Sequence, residues 1–322
     1  MTNRDIAKSL LKGAIDLHVH TSPDIFPRKY SDIKAAQKAK AAGLKAIVLR
    51  NHFEATAGRA RIASEQTHFT VFGSILLEYP LGGLNLFAVD AALSMGAKIV
   101  CMPNIHAAHF LANFNPKSLL PLIPPVKGLY LLRENGELKP EVKAILSAIS
   151  SAQTVLDLGY VSKEECSALI REATTLGITK IILSNPLAAF VSMSLNDVEE
   201  LMSLGKVFIE HSAIHMTSIA PNPISATTFA EAIRLLGPER SILTSDGGQE
   251  ANPPPEEMFL QFIHNLLEEG ITEEQIKVMV RDNPSQLLEL SYPSSRIGNI
   301  KSLWPSLVGF DNPVNATEWN TS

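Results

Sequence analysis

Short apolar runs alternate along the chain with longer segments whose apolar residues recur at helical spacing. The runs are rich in Ile, Val and Leu and too short for helices, which is typical of strands buried on both faces of a parallel sheet. Eight such runs are found, at residues 14–17, 45–49, 70–75, 98–102, 154–158, 180–183, 206–209 and 241–244. Most are about 25 to 35 residues apart, the length of one strand, one helix and two short loops.

The segments between the runs begin as helices do. Ser31 is placed as a helix N-cap, and Ser162 with Glu165 and Thr272 with Gln275 have the spacing of capping boxes. The sequence therefore predicts an α/β fold in which eight strand–helix units form a single (β/α)8 barrel. A doubly wound open sheet is the alternative, but no Gly-x-Gly-x-x-Gly follows the first strand.

The barrel is predicted to span residues 1–290. Two regions of the chain depart from its strand–helix repeat. After the fourth predicted strand, residues 104–140 contain five prolines, so we predict an insertion rather than one regular helix, because proline removes a backbone donor. Residues 291–322 are rich in Pro, Ser, Asn and Trp. We predict that they form a C-terminal extension that packs on the barrel or on a neighbouring subunit, which would be compatible with a homo-oligomer.

Composition excludes several classes of partner. The chain has 322 residues with a formal net charge of -5 and no long run of either sign, which argues against nucleic acid or an anionic membrane as a partner. The two cysteines, Cys101 and Cys166, do not have a zinc-ligand spacing and form no disulfide framework. We find no secretory signal and no long apolar stretch, so we predict a cytoplasmic protein whose partner is a small-molecule substrate.

Histidines are concentrated directly after the predicted strands. In a (β/α)8 barrel the chemistry takes place at the C-terminal ends of the strands. Seven of the nine histidines of the chain lie at such ends, namely His18, His20, His52, His106, His109, His211 and His215. This distribution predicts a functional site at that rim of the barrel.

The strongest pattern is His18-Val19-His20 at the end of the first strand. A period of two puts both imidazoles on one face, where they would share a divalent ion such as Zn, Mn, Fe or Ni. Asp246 follows the eighth strand, which neighbours the first in a closed barrel, so it would be a third ligand and would take a proton from an activated water. The alternatives are a hydrogen-bonded core pair for the histidines and a turn residue before Gly247-Gly248 for Asp246.

The sequence Asp16-Leu17-His18-Val19-His20, with Asp246 after the last strand, resembles the metal-dependent amidohydrolase superfamily, and more closely an uncharacterised branch of amidohydrolase-like barrels. The segments that carry the resemblance are 16–27, 47–53, 81–85 and 246–255. The resemblance implies a (β/α)8 barrel with one or two divalent ions. It also implies hydrolysis of an amide, lactam, lactone or related bond.

The chain departs from the superfamily pattern after the fifth and sixth strands. Tyr160 and Asn185 stand where the resemblance implies histidine ligands. Phenol and amide groups are poor zinc ligands beside imidazole, so we expect one ion, most simply zinc, rather than two. His52 would supplement the three ligands, and Tyr160 and Asn185 would contact substrate instead.

Three further residues are predicted to bind substrate. Arg50 suits a carboxylate or phosphate group, with an ion pair at the barrel mouth as the alternative. His106 opens the predicted insertion, and His211 ends the seventh strand, where either it or Glu210 would face the barrel.

Two other functions compete with the hydrolase interpretation. The polymerase-and-histidinol-phosphatase type of phosphoesterase also begins with His-x-His, and His52 and Glu78 fit its order, but Gly248 stands where that family has a histidine. Alternatively, the barrel has lost its metal and binds a small molecule without turnover.

Overall fold

The structure is a computed structural model that describes residues 2–114, 127–218, 220 and 222–290. Most of the prolines of the predicted insertion, and the whole predicted C-terminal extension, lie outside these residues. In the described part, Ala108–Asn113 forms a short helix after the fourth predicted strand.

The described residues contain nine strands, and every pairing between neighbours is parallel. In chain order they are β1 Ile15–His20, β2 Ala46–Arg50, β3 Thr70–Phe72, β4 Ser74–Leu76, β5 Ile99–Cys101, β6 Val155–Asp157, β7 Ile181–Ser184, β8 Val207–Ser212 and β9 Ser241–Thr244. They form two ladders, β1-β2-β3 and β4 through β9 in sequence order.

Gly73 separates β3 from β4, so the third predicted strand is interrupted. A Cβ at Gly73 would lie 2.4 Å from the Cα of Ala57, so only glycine permits this close approach of the chain to the start of the preceding helix. The hydroxyl of Thr56 accepts a hydrogen bond from the Ser74 amide at 2.8 Å and so replaces a lost ladder bond. The third predicted strand is therefore present as two short strands, β3 and β4, separated by Gly73.

The last strand returns to the first. Val19 forms a parallel bridge with Gly247, and the His20 amide donates to the Gly247 carbonyl at 2.8 Å. The strands therefore follow one another round a ring in chain order. This is the predicted (β/α)8 barrel, and it brings the end of β1 beside the residues that follow β9.

Helices alternate with the strands. The twelve α-helices of the described residues are α1 Asn3–Leu11, α2 Asp32–Ala42, α3 Ala57–Thr67, α4 Leu86–Ser94, α5 Ala108–Asn113, α6 Pro140–Ala152, α7 Lys163–Thr175, α8 Leu195–Ser203, α9 Ala226–Leu236, α10 Pro255–Glu268, α11 Glu273–Lys277 and α12 Asn283–Leu288. The N-cap at Ser31 and the capping boxes at Ser162 and Thr272 are confirmed. None of the described helices has the length and apolar character needed to cross a bilayer.

The barrel interior has an apolar floor beneath a polar layer. The floor consists of Ile15, Leu17, Ala46, Val48, Ile99, Val155, Ile182, Phe208 and Ile242, together with Leu287 and Leu288 of α12. Side chains alternate along a strand, so residues two positions further on also face inward. On six strands these residues are Arg50, Cys101, Asp157, Ser184, Glu210 and Thr244, and all are buried. The polar layer lies at the C-terminal ends of the strands.

Candidate metal centre

Two imidazoles and one carboxylate converge above this polar layer. The Oδ1 atom of Asp246 lies 3.4 Å from Nε2 of His18 and 3.2 Å from Nε2 of His20. One ligand atom from each residue lies within 4.8 Å of the other two, and all three side chains are buried. These are the three residues predicted as principal ligands.

The backbone around β1 and β9 explains why these side chains meet. The register of β1 against β2 shifts between Asp16 and Val19, and such a bulge changes the direction of the following side chains. Asp16 Oδ1 accepts from the Ser245 amide at 3.0 Å, which ties the end of β9 to β1. Asp246 itself adopts a φ of 45°, in the left-handed region that aspartate tolerates better than most residues.

Gly248 allows the loop after β9 to lie directly on β1. It has a φ of +126°, and a Cβ there would lie 1.9 Å from the carbonyl oxygen of His20. Only glycine fits this position. Gly248, which stands where the phosphoesterase family has a histidine, is therefore explained by the close packing of this loop on β1.

The separations of the ligand atoms fit a metal ion. Two ligands bound at about 2.0–2.1 Å in a tetrahedral arrangement are about 3.3–3.4 Å apart. The two measured carboxylate–imidazole separations are 3.4 and 3.2 Å. Two imidazoles and a carboxylate are also a donor set that zinc and similar divalent ions prefer.

Glu210 of the polar layer orients His18. Its Oε1 lies 3.0 Å from Nδ1 of His18 and accepts a second hydrogen bond from the Thr244 hydroxyl at 2.9 Å. A carboxylate only accepts, so His18 donates through Nδ1 and directs Nε2 at Asp246. Burial alone would lower the pKa of His18, but the charges of Asp246 and Glu210 outweigh it and the pKa is raised. A carboxylate behind a histidine is the usual support of a metal ligand.

His20 has a different partner behind it. A guanidinium nitrogen of Arg28 lies 3.3 Å from its Nδ1, and since arginine only donates, Nδ1 accepts and Nε2 carries the proton towards Asp246. Burial and Arg28 together hold the pKa of His20 well below its ordinary value. Binding an ion through Nε2 therefore requires the proton to move to Nδ1 and the contact with Arg28 to open.

The electrostatics of the mouth favour a cation. Burial would raise the pKa of Asp246, but His18 and His20 outweigh it and hold the pKa far below its ordinary value. Buried carboxylates outnumber buried guanidinium groups around this site. A divalent ion would offset the excess negative charge.

A second cluster adjoins the first. The ring of His52 stacks on that of His20 with centroids 5.3 Å apart. Nδ1 of His52 and Nδ1 of His106 lie 3.2 and 3.0 Å from the two oxygens of Glu78. Glu78 also accepts from the backbone amides of residues 104, 105 and 106. Burial would raise its pKa, but the hydrogen bonds and charges of His106 and His52 outweigh burial and lower the pKa to about 2. Its lone pairs are thus occupied by donors, so Glu78 supports the two imidazoles rather than binding an ion, which disfavours the phosphoesterase alternative.

Comparison with known families decides where the chain belongs. Residues 13–210 match the model of a family described as a family of unknown function, DUF6282. The chain belongs to this family. No curated protein matches it.

Solved structures show the fold of this DUF6282 member. An amidohydrolase from Pseudomonas aeruginosa is similar with a TM-score of 0.57 and 13% identity, over 90% of this chain and 98% of that one. The organophosphorus hydrolase from Deinococcus radiodurans is similar with a TM-score of 0.53 and 16% identity, over 88% of this chain and 93% of that one. A lactonase template engineered for organophosphate hydrolysis has a TM-score of 0.55 and 16% identity, over 88% and 97% of the two chains. At these identities the likeness shows the α/β barrel fold alone.

The remaining predicted residues occupy three kinds of position. His52, predicted to supplement the three ligands, and His106, predicted to bind substrate, lie in the cluster around Glu78, beside the three candidate ligands. Arg50 lies in the polar layer, where its guanidinium pairs with Asp157 and donates to the Leu17 carbonyl at 3.1 Å. This matches the ion-pair alternative for Arg50, although one nitrogen, Nη2, has no partner among the described residues.

His211 faces away from the mouth. Glu210 takes the inward position of β8, so His211 points outward, packs edge-on against Phe229 at 5.7 Å and lies 3.4 Å from the Ser241 hydroxyl. Burial lowers the pKa of His211 to about 4. This geometry gives no support to a role in substrate binding.

Tyr160 and Asn185, both predicted to contact substrate, lie beside each other. The amide nitrogen of Asn185 is 3.5 Å from the Tyr160 hydroxyl, and Asn185 Oδ1 is buried without a partner among the described residues. Burial and the charges of Asp246 and Glu210 raise the pKa of Tyr160 well above 10. The phenol therefore remains a hydrogen-bond donor.

Sequence reasoning missed several contributors. Glu210 and Glu78 were not predicted as supports, although Glu210 stands two residues after the inward Phe208, a spacing that places it in the interior. The side chain of Arg28, in the loop after β1, is buried against Asp24 and His20. His215 is buried beside Phe190, and its Nε2 lacks a partner among the described residues.

Proposed function

We propose that the chain is a hydrolase that uses one divalent metal ion, most simply zinc, held by His18, His20 and Asp246. Its substrate would be a small molecule with an amide, lactam, lactone or related bond. The observation that carries the proposal is the convergence of Nε2 of both histidines on Asp246 Oδ1 at 3.4 and 3.2 Å. The hydrolase names of the structural neighbours are consistent with it.

When bound, such an ion supplies Lewis acidity that polarises a carbonyl and makes a water more acidic. The side chains of the chain perform the remaining tasks. Glu210 holds His18 in the tautomer that presents Nε2. Asp246 directs Oδ1 at both histidines, and its second carboxylate oxygen would take the proton of the attacking water.

Tyr160 supplies a donor at the mouth. Its hydroxyl accepts from Asn185, so its own proton is free to donate to the substrate carbonyl oxygen. A fixed donor that faces developing negative charge in a buried site stabilises it more than water does. The phenol does this without ionising, because its pKa is raised.

Metal analysis tests the proposal. Protein purified without chelator should contain about one equivalent of a divalent ion. The same protein is assayed for hydrolysis of a panel of amides, lactams and lactones. His18→Ala should lose both the ion and activity. His68→Asn is the matched control, since His68 is exposed and lies in the left-handed region, which asparagine also tolerates.

Less than about 0.2 equivalents of any divalent metal, with no activity on addition of Zn or Mn, would contradict the proposal. That result would leave the alternative of a barrel that binds a small molecule without turnover. Hydrolysis of phosphate esters in preference to carbonyl substrates would instead revive the phosphoesterase alternative.

A further inference from the structure

Tyr160 and Asn185 form a matched pair of hydrogen-bonding groups. Asn185 donates through Nδ2 to the Tyr160 hydroxyl at 3.5 Å. The phenol proton is therefore available to donate to a ligand, and Asn185 Oδ1 is available to accept from one. Asn185 is 3% exposed and Tyr160 is 5% exposed. A donor and an acceptor therefore stand side by side, shielded from bulk water.

The unpartnered oxygen of Asn185 is costly where it stands. A buried acceptor without a donor costs the free energy of its lost hydration unless a ligand supplies the donor. Asn185 also has a φ of 48°, a left-handed conformation held at the end of β7. Sites that bind ligands often retain such local strain.

The surroundings of the pair are aromatic. Phe190 packs on Tyr160 with centroids 4.7 Å apart, and Phe110 stacks on it at 5.9 Å. Phe190 also contacts the ring of His215 at 5.6 Å. Phe190 is only partly buried, so it leaves apolar surface for the body of a ligand.

The pair lies close to the candidate metal centre. Asn185 directly follows Ser184, whose partner on β8 is Glu210, and Glu210 Oε1 lies 3.0 Å from Nδ1 of His18. A carbonyl that accepts from Tyr160 would thus lie near Asp246. The atom bonded to that carbonyl would face Asn185.

We propose that Tyr160 and Asn185 form a subsite that selects lactams with an apolar or aryl body over lactones, because the cis amide of a small lactam presents its C=O and N–H on the same side. The Tyr160 hydroxyl donates to the carbonyl oxygen, and Asn185 Oδ1 accepts from the amide N–H. An ester or lactone has oxygen in place of N–H and would leave Asn185 Oδ1 unpaired. This inference rests on the proposed function, because it names the substrate class of the same site.

Binding of a lactam and of a ketone of the same shape tests the subsite directly, with hydrolysis of the lactam followed in parallel. The probes are 4-phenylpiperidin-2-one, a lactam, and 3-phenylcyclohexanone, which has CH2 in place of N–H and the same carbonyl and ring. Dissociation constants are measured by calorimetry on the full chain with its metal. The lactam should bind about tenfold or more tightly than the ketone, because only the lactam satisfies the buried acceptor.

Variants assign the preference to its residue. Asn185→Gly suits the left-handed backbone and removes the acceptor, so the lactam-to-ketone ratio should fall to within about threefold. Asn185→Asp keeps an acceptor for the N–H but also accepts the Tyr160 proton, so it should weaken both ligands and still favour the lactam. Tyr160→Phe removes the shared donor, so it should weaken both ligands by a similar factor and leave the ratio unchanged.

Equal binding of lactam and ketone by the unmodified chain would overturn the subsite, as would an unchanged ratio in Asn185→Gly. Each ratio is taken within one variant, so a general loss of stability does not imitate the result. Absence of turnover with the preference intact would overturn the proposed function alone. Hydrolysis of lactones without the preference would overturn the subsite alone.

Discussion

Replacement of Glu210 by glutamine tests whether the polar layer supports the metal centre. Glu210 Oε1 accepts from Nδ1 of His18 at 3.0 Å and from the Thr244 hydroxyl at 2.9 Å, and its side chain is fully buried. Glutamine keeps the shape but removes the charge that fixes the tautomer of His18. Loss of such a support typically lowers metal affinity about 10- to 100-fold, or about 1.4–2.7 kcal/mol.

The assay is competition for zinc between the protein and a chromogenic chelator. Nitrogen-15 spectra of the histidine rings report separately whether His18 keeps its proton on Nδ1. Glu165→Gln is the matched control, because Glu165 is also a buried carboxylate but lies in the capping box of α7. It should lower stability and leave zinc affinity unchanged. An unchanged zinc affinity in Glu210→Gln would refute the support role.

Three further outcomes follow from the structure. The pKa of Glu78 is lowered from 4.5 to about 2, so its contribution, about 3 kcal/mol, is complete above about pH 4.5 and is lost as pH falls towards 2. Glu78→Gln should remove that part of the acid dependence in denaturant unfolding. Gly248→Ala should lower the thermal midpoint of unfolding far more than Gly96→Ala. Both glycines have positive φ, but only a Cβ at Gly248 would meet the backbone of His20. Equal shifts of the midpoint would contradict this. Arg50→Met should cost about 3–5 kcal/mol in denaturant unfolding, because it leaves a buried carboxylate unpaired, whereas Arg61→Met on the surface should change little. An Arg50→Met protein of normal stability with weakened ligand binding would favour the substrate-binding role instead.

The repeat of the barrel could be predicted because its signals are local. Strands buried on both faces give continuous apolar runs, and caps such as Ser162 mark helix starts. The interruption at Gly73 could not be predicted, because it depends on the approach of Ala57, which the sequence does not display. The meeting of His18, His20 and Asp246 could be predicted because closure of a barrel makes its first and last strands neighbours.

The supports of the site were harder to predict because they depend on which way each strand faces. Glu210 and His211 are adjacent, and sequence alone left open which of them points inward. Phe208 in the apolar floor settles this, and Glu210 then faces His18 while His211 packs against Phe229. Arg50 was predicted to bind substrate or to form an ion pair at the barrel mouth, and the structure pairs it with Asp157, more than a hundred residues away.

X-ray absorption of the zinc-loaded protein tests the central claim most directly. We predict one zinc per chain with two imidazole nitrogens and a carboxylate oxygen at about 2.0–2.2 Å. His20→Ala should remove one imidazole from that shell, and His211→Ala should leave the shell unchanged. A shell of water oxygens alone, or one that is the same in His20→Ala, would contradict the account.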